Sequence, residues 1–510
     1  MQDSFFASTR KRKRSNQPSD RTKNTVAGNA TTAKPRRAPK KKDESDDEAD
    51  GPSTLADMNL EASEAESSEE EIEETAAEKR VRLAKAYLDK IQHDMDEDLG
   101  GFDAADLDRD LIAERLKKDD DEAAGKIHRR IADKFDFTSI DDTKIRSCRL
   151  GRGNNQTVTA VVLADNGQFF YTASKDGSII KYDTTTLKKL HTFPGGRKGA
   201  KDYIGHTQDI LALALSSDHQ YLASGGRDKL INIWSVKDNT HIATFSLHKD
   251  AVSGLAFRKG SNQLYSASHD RTIKLWNVDE RAYIETLFGH QDQITAIDTL
   301  SRERCMTTGG RDKTARLWKI VEESQLVYRG GVTTKDADGS ERILYAEGSL
   351  DCVAQIDEDI FVTGGDSGAI SLWDINRKKP LFSLSAAHGL NTTHSESEGD
   401  IDTPYWITAL ACIRYSDVFV SGSWDGFVRV WKLAADNKSF QQIAQIPVQG
   451  VVNSLQIKTT FPSKRTILVI GVGQELRLGR WLRVKGSKNC AKVVELPIKK
   501  SSHPIENVPV

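Results

Sequence analysis

Three thirty-residue stretches recur in register and dominate what this chain can fold into. "GHTQDILALALSSDHQYLASGGRDKLINIW" ends at Trp234, "LHKDAVSGLAFRKGSNQLYSASHDRTIKLW" at Trp276, and "GHQDQITAIDTLSRERCMTTGGRDKTARLW" at Trp318. Both steps are 42 residues. In each stretch a His precedes an Asp by 22 residues, and the Asp precedes the Trp by 6. A period of that size marks a supersecondary unit that stacks on copies of itself, because one unit alone cannot bury its apolar face. Looser copies end at Tyr182, Trp373, Trp431 and Trp481, which makes seven. Within a copy, "LALAL", "YLAS", "INIW" and "HIATF" are short β-rich runs between turn residues. The Ser/His/Asp combination looks like a hydrolase set, but a reactive site is built once. A set printed repeatedly in register is scaffolding, so catalysis is not expected.

Gly-His near the start and Trp near the end of a 40–45-residue period resemble the WD40-repeat family over residues 145–498. The resemblance implies an all-β fold, a seven-bladed β-propeller of four-stranded antiparallel sheets around a channel. It also gives the repeated polar residues a job inside each blade. His206 is expected to bridge Asp228 and Ser224, with Ser224 accepting from the Trp234 indole. The corresponding sets are His248, Ser266, Asp270 and Trp276, then His290, Thr308, Asp312 and Trp318. Ser421, Asp425 and Trp431 follow, with His388 as partner across a long insertion. In the last copy Glu475 takes the acid's place and Trp481 closes the repeat. Two segments, 491–498 and 144–151, compete for the final outer edge; one is expected to close the ring and the other to lie outside it.

The remaining chain divides into 1–78, a disordered basic-then-acidic tail; 79–140, short amphipathic helices; the propeller at 141–498; and a C-terminal tail at 499–510. The overall charge of -2 hides +11 in 1–42, -16 in 43–78, -3 in 79–140 and +6 in the rest. Arg10, Lys11, Arg12, Lys13 and Arg14, then Arg36, Arg37, Lys40, Lys41 and Lys42, form two basic clusters that read as nuclear import signals. The acidic block is too charged and too poor in apolar residues to offset its ordering entropy. Helical spacing returns at Val81, Ala84, Leu88 and Ile91, at Leu111, Ile112 and Leu116, and at Ile127, Ile131 and Phe135. The five cysteines are scattered without a Cys-x-x-Cys pair, which fits a reducing compartment and no zinc ribbon. His388 and His394 lack metal-site spacing. No metal, cofactor, membrane span or secretory signal is expected.

On such a propeller the residue before each turn Asp points towards the rim of the channel. Those residues are Lys175, Arg227, His269, Arg311 and Trp424, with Asp366 in the fifth copy. Arg197, Lys198 and Lys201 add a basic insertion at 194–206, while the insertion at 388–406 is polar and acidic. Cations that neutralise phosphate beside an aromatic that can stack on a base make this face a candidate for RNA.

A closer resemblance rests on "RLAKAYLDKIQ", "IAERLKKDDDEAAGKIHRRIADKF", "ASGGRDKLINIW", "SASHDRTIKLWNV" and "TTGGRDKTARLWKI". These are similar to the family of U3 small nucleolar RNA-interacting WD-repeat proteins over residues 79–498. That resemblance implies a non-enzymatic nucleolar subunit of the U3 ribonucleoprotein. It would bind the box B/C element of the U3 small nucleolar RNA beside a small kink-turn-binding protein and other box C/D subunits. It would act with small-subunit processome proteins in precursor rRNA processing and 18S rRNA maturation, with no membrane and no small-molecule substrate. The alternative is a peptide-binding adaptor, such as a histone chaperone or a ubiquitin-ligase substrate receptor.

Overall fold

The repeat closes into a seven-bladed propeller in the computed structural model, which describes residues 128–137, 144–149, 156–197, 203–329, 334–335, 341–342, 348–395, 399–460 and 465–499. The two basic clusters, the acidic block, the first two helical segments, Lys198 and Lys201 lie outside the described residues.

Blade 2 shows how a repeat becomes a sheet. Ile210–Leu215 is the inner strand, and Tyr221–Gly226, Ile231–Ser235 and His241–Phe245 follow outward in antiparallel order. Burial falls from the inner strands to the outer one. The outer strand therefore carries the polar residues that the middle strands exclude. Lys229 in the turn after the second strand has φ 69°, as do its repeat counterparts Arg271 and Lys313 at 67° and 55°. Apolar side chains from facing sheets interdigitate into seven clusters, one between each pair of neighbouring blades. No single core exists; stability is distributed round the ring.

Closure corrects the expectation that one of the two terminal segments lies outside. Both enter the same sheet. Cys490–Leu496 is the third strand of blade 7 and Arg146–Arg149 is its outer strand, paired antiparallel. The N-terminal end of the propeller thus seals the last blade.

Trp481 does not close the seventh repeat. The residue is 65% exposed in a long connection between the second and third strands. Val494 takes the place that Trp234 holds in blade 2, since Leu468 pairs with Val494 as Leu222 pairs with Trp234. Ile470 stands where Ser224 stands, so blade 7 replaces the polar network with aliphatic packing.

The segment read as a third helix is another correction. Residues 128–137 form an extended strap with one 3-10 turn, Ala132–Lys134. Asp417 Oδ1 accepts from the Ile131 and Ala132 amides, at 2.8 and 3.1 Å. Arg129 bridges to Ser416 and Phe135 to Ile498. Ala132 and Phe135 are buried in the cluster between blades 6 and 7. The four-residue spacing of Ile131 and Phe135 reflects two contacts on one surface, not helical turns.

Candidate nucleic-acid interface

The repeated His–Asp pairs decide which polar groups are free. His206 Nδ1 lies 3.0 Å from Asp228 Oδ2, its Nε2 is 2.8 Å from Ser224 Oγ, and Trp234 Nε1 donates to Ser224 at 2.9 Å. Blade 3 repeats this through His248, Asp270, Ser266 and Trp276. In blade 6, His388 meets Asp425 at 2.8 Å and Ser421 at 2.7 Å, and Trp431 donates to Ser421. The insertion between them is a two-stranded hairpin, Leu390–Ser395 with Gly399–Pro404. Every one of these His and Asp side chains is nearly inaccessible. Burial pushes the His388 imidazole below its usual value despite Asp425. No substrate could reach such groups.

In blade 4 the residue that serves the network is Thr307, not Thr308. His290 Nε2 and Trp318 Nε1 both meet Thr307 Oγ1 at 2.8 Å, while His290 Nδ1 meets Asp312 at 2.7 Å. The connection between the first and second strands is one residue shorter than in blade 2, and the hairpin turn one longer. The whole second strand slides by one position. Thr308 instead faces Thr295, Oγ1 to Oγ1 at 3.0 Å. Two adjacent threonines make the slide chemically neutral for the indole.

The rim residues divide. Lys175 is only 6% exposed; its ammonium donates to Gly479 O at 3.0 Å and lies 3.5 Å from Glu475. Burial pulls the Lys175 ammonium below its ordinary range, against the Glu475 carboxylate. Arg227 pairs with Asp209 at 3.3 Å and donates to Leu478 O at 3.2 Å, although its side chain is 46% exposed. Both hold the blade 7 connection. Trp424 is half-buried, edge-on to Tyr405 at 4.5 Å between centroids. His269 is half-buried, and burial, with Arg477 next, pushes its imidazole down. Arg311 and Arg197 are exposed. The structure therefore brings Lys175 and Arg227 together on adjacent carbonyls of one segment, Gly479 and Leu478, but does not gather all the rim residues into one exposed set.

What it gathers instead is a feature the repeat alignment hid. In blade 7 the tight turn between second and third strands is expanded into residues 474–489, "QELRLGRWLRVKGSKN". Arg477 reaches into the channel and donates to Thr295 O at 3.1 Å and Leu211 O at 3.5 Å, on the inner strands of blades 4 and 2. Val484 donates to Gln474 O, and Gln474 to Asn489 and Ser487, closing the loop at its base. A cleft of about 450 Å³ opens between this loop and blades 1 and 2, lined by Lys175, Asp209, Arg227 and Arg480 among others. Arg480, Trp481, Arg483, Lys485 and Lys488 stand exposed on the loop. The sequence signal was present as five cations in twelve residues around one Trp. A repeat counted to its Trp absorbs this stretch into the blade.

Among the described residues no cluster of side chains has a metal-binding arrangement.

The WD domain, G-beta repeat model matches residues 145–183, 197–235, 239–277, 281–319 and 398–432. Blade 5 and the first three strands of blade 7 fall outside these ranges, while the first range takes in Arg146–Arg149, the outer strand of blade 7. The chain is 45% identical over 425 residues to U3 small nucleolar RNA-interacting protein 2 of Mus musculus, covering 83% of each. It is 32% identical to ribosomal RNA-processing protein 9 of Saccharomyces cerevisiae, covering 87% of this chain and 94% of that one. The solved structure of U3-55K is 41% identical with a TM-score of 0.62, over 70% of this chain and 99% of that one. That of the RRP9 WD40 repeats is also 41% identical, with a TM-score of 0.61.

Proposed function

The chain belongs to the family of WD-repeat proteins that includes U3 small nucleolar RNA-interacting protein 2 and ribosomal RNA-processing protein 9, and from that membership we propose that it is a non-enzymatic RNA-binding and assembly subunit of the U3 small nucleolar ribonucleoprotein. It acts in precursor rRNA processing towards 18S rRNA, in the nucleolus, and engages the box B/C element beside a kink-turn-binding protein. The observation that carries the RNA-binding part is the blade 7 loop. Its exposed cations project from a loop that Lys175, Arg227 and Arg477 tie to the channel. Cations fixed in place neutralise phosphates with little ordering cost. The buried His–Asp pairs argue in the same direction, because their polar groups are spent on the blades.

Crosslinking the full-length chain in cells and sequencing the bound RNA tests this. The expected result is one small structured RNA, the U3 RNA. Recovery of histones or a ligase adaptor that survives nuclease treatment, without that RNA, would replace it with the peptide-adaptor reading.

A further inference from the structure

Five of the eight tryptophans are accounted for by the blades: Trp234, Trp276, Trp318, Trp373 and Trp431 are buried and donate to a Ser or Thr hydroxyl. Trp481 stands apart as the most exposed of them, on the loop just described. A large aromatic held out in water forgoes burial worth about 1.5–3 kcal/mol, and here it stands among cations rather than alone. We propose that Trp481, with Trp406 beside it, is a stacking site for one unpaired RNA base. This rests on the RNA-binding reading above and narrows it to a single face.

Three observations converge. The indole is pre-positioned: it lies against Gly479, where any side chain would collide with its ring, so only glycine permits that packing. Gly479 itself is pinned through its carbonyl by Lys175, and Leu478 by Arg227. The second ring is near: Trp406 lies 6.4 Å away, centroid to centroid, tilted by 52°. Its backbone is fixed through the Ser423 hydroxyl, which donates to Trp406 O at 2.6 Å. The surroundings are cationic: Arg480, 73% exposed, precedes the indole, and Arg483, Lys485 and Lys488 follow it.

This alternation of ring and cation suits a single strand, whose bases offer π-faces while the linking phosphates need neutralising. A protein hot spot differs. It places an aromatic anchor at the centre of a desolvated apolar patch, whereas the residues flanking Trp481 on the chain are Arg480 and the half-buried Leu482, then Arg483.

The test uses the full-length chain and transcribed U3 small nucleolar RNA, with affinity measured across a salt series. Trp481→Ala is expected to weaken binding between about five-fold and about a hundred-fold, and Trp481→Phe to restore most of it. The slope of log affinity against log salt should not change, because no phosphate partner is lost. Indole fluorescence of the parent chain should be quenched on RNA addition, and the quenched component should be missing in Trp481→Ala. Undiminished affinity in Trp481→Ala overturns the site alone. So does a loss accompanied by a shallower salt slope, which would mean that the indole merely braces the cations. A protein partner whose capture from nuclease-treated extract requires Trp481 also overturns it. A parent chain that binds no U3 RNA overturns this site and the reading beneath it together.

Discussion

Asp312 and Asp351 show how the same carboxylate has opposite consequences in two settings. Asp312 accepts from His290, from the Gln291 amide and from the Thr314 amide, which hold its carboxyl below the usual range against burial. Its contribution to stability is present above the ordinary carboxylate range and is lost as pH falls through its folded value. Asp312→Ala orphans those donors and is expected to lower unfolding free energy by about 3 kcal/mol, read by urea denaturation, with RNA affinity per folded molecule unchanged. Asp351, on the first strand of the blade 5 sheet, lies beside Asp366, with Ser349 as hydrogen-bond donor and Arg477 at longer range; burial raises its carboxyl from 3.8 to about 6. The folded state then binds more protons than the unfolded one between those values, so stability falls as pH rises through that window. The gap corresponds to about 3 kcal/mol at most. Asp351→Asn should therefore raise the melting temperature at pH 8 and change it little at pH 4. A gain at pH 4 as large as at pH 8 would contradict the assignment. At this scale the His–Asp–Ser–Trp sets were legible, since their spacing is printed in the chain. The exchange of Thr307 for Thr308 was not, because a one-residue strand slide leaves the spacing of His290, Asp312 and Trp318 untouched.

The elements that the repeat pattern could not resolve lie at the ring's seam. A closed ring needs its last sheet completed, and here the third and outer strands come from opposite ends of the propeller sequence. The strap at 128–137 then crosses between blades 6 and 7 and buries Phe135 in the cluster that also holds Val420, Val430 and Leu468. Apolar spacing predicted a helix there because a surface that takes every fourth side chain imposes the same periodicity as a helical face. Phe135→Ala removes a buried aromatic and is expected to cost about 3–5 kcal/mol. The loss should appear as easier unfolding in urea and as earlier proteolysis at the seam, with the outer strand Arg146–Arg149 released first. Equal protease protection in the variant would show that the strap merely rests on the seam. The blade 7 loop escapes the repeat pattern for a related reason. Alignment on a Trp assigns each one to a strand, whereas the aliphatic Val494 holds that place in blade 7.

For the whole molecule, a propeller that consumes its reactive-looking groups internally has only its rim and loops with which to act. Blade count was readable from the period, but the exposed basic loop was not, because it sits in a blade that departs from the pattern. The +6 charge of residues 141–510 says that anions are favoured without saying where. On the RNA-binding reading proposed above, the loop is the location, and salt dependence tests it. Each phosphate neutralised contributes about 0.7 to the slope of log affinity against log salt for a single strand and about 0.9 for a duplex. Arg480 and Arg483 are exposed; one is 3.5 Å from Glu475 and the other donates to Gln474 at 3.1 Å. Neither bond spans the loop to another blade. Arg480→Glu with Arg483→Glu should therefore make the slope shallower by about 1.4 to 1.8 and leave the melting temperature nearly unchanged. Arg311→Glu, on blade 4 rather than on the loop itself, should change the slope by less than a single loop cation does. If Arg311→Glu matched the loop pair, phosphate contact would be spread round the rim, and the field of the whole ring rather than one loop would be what holds the RNA.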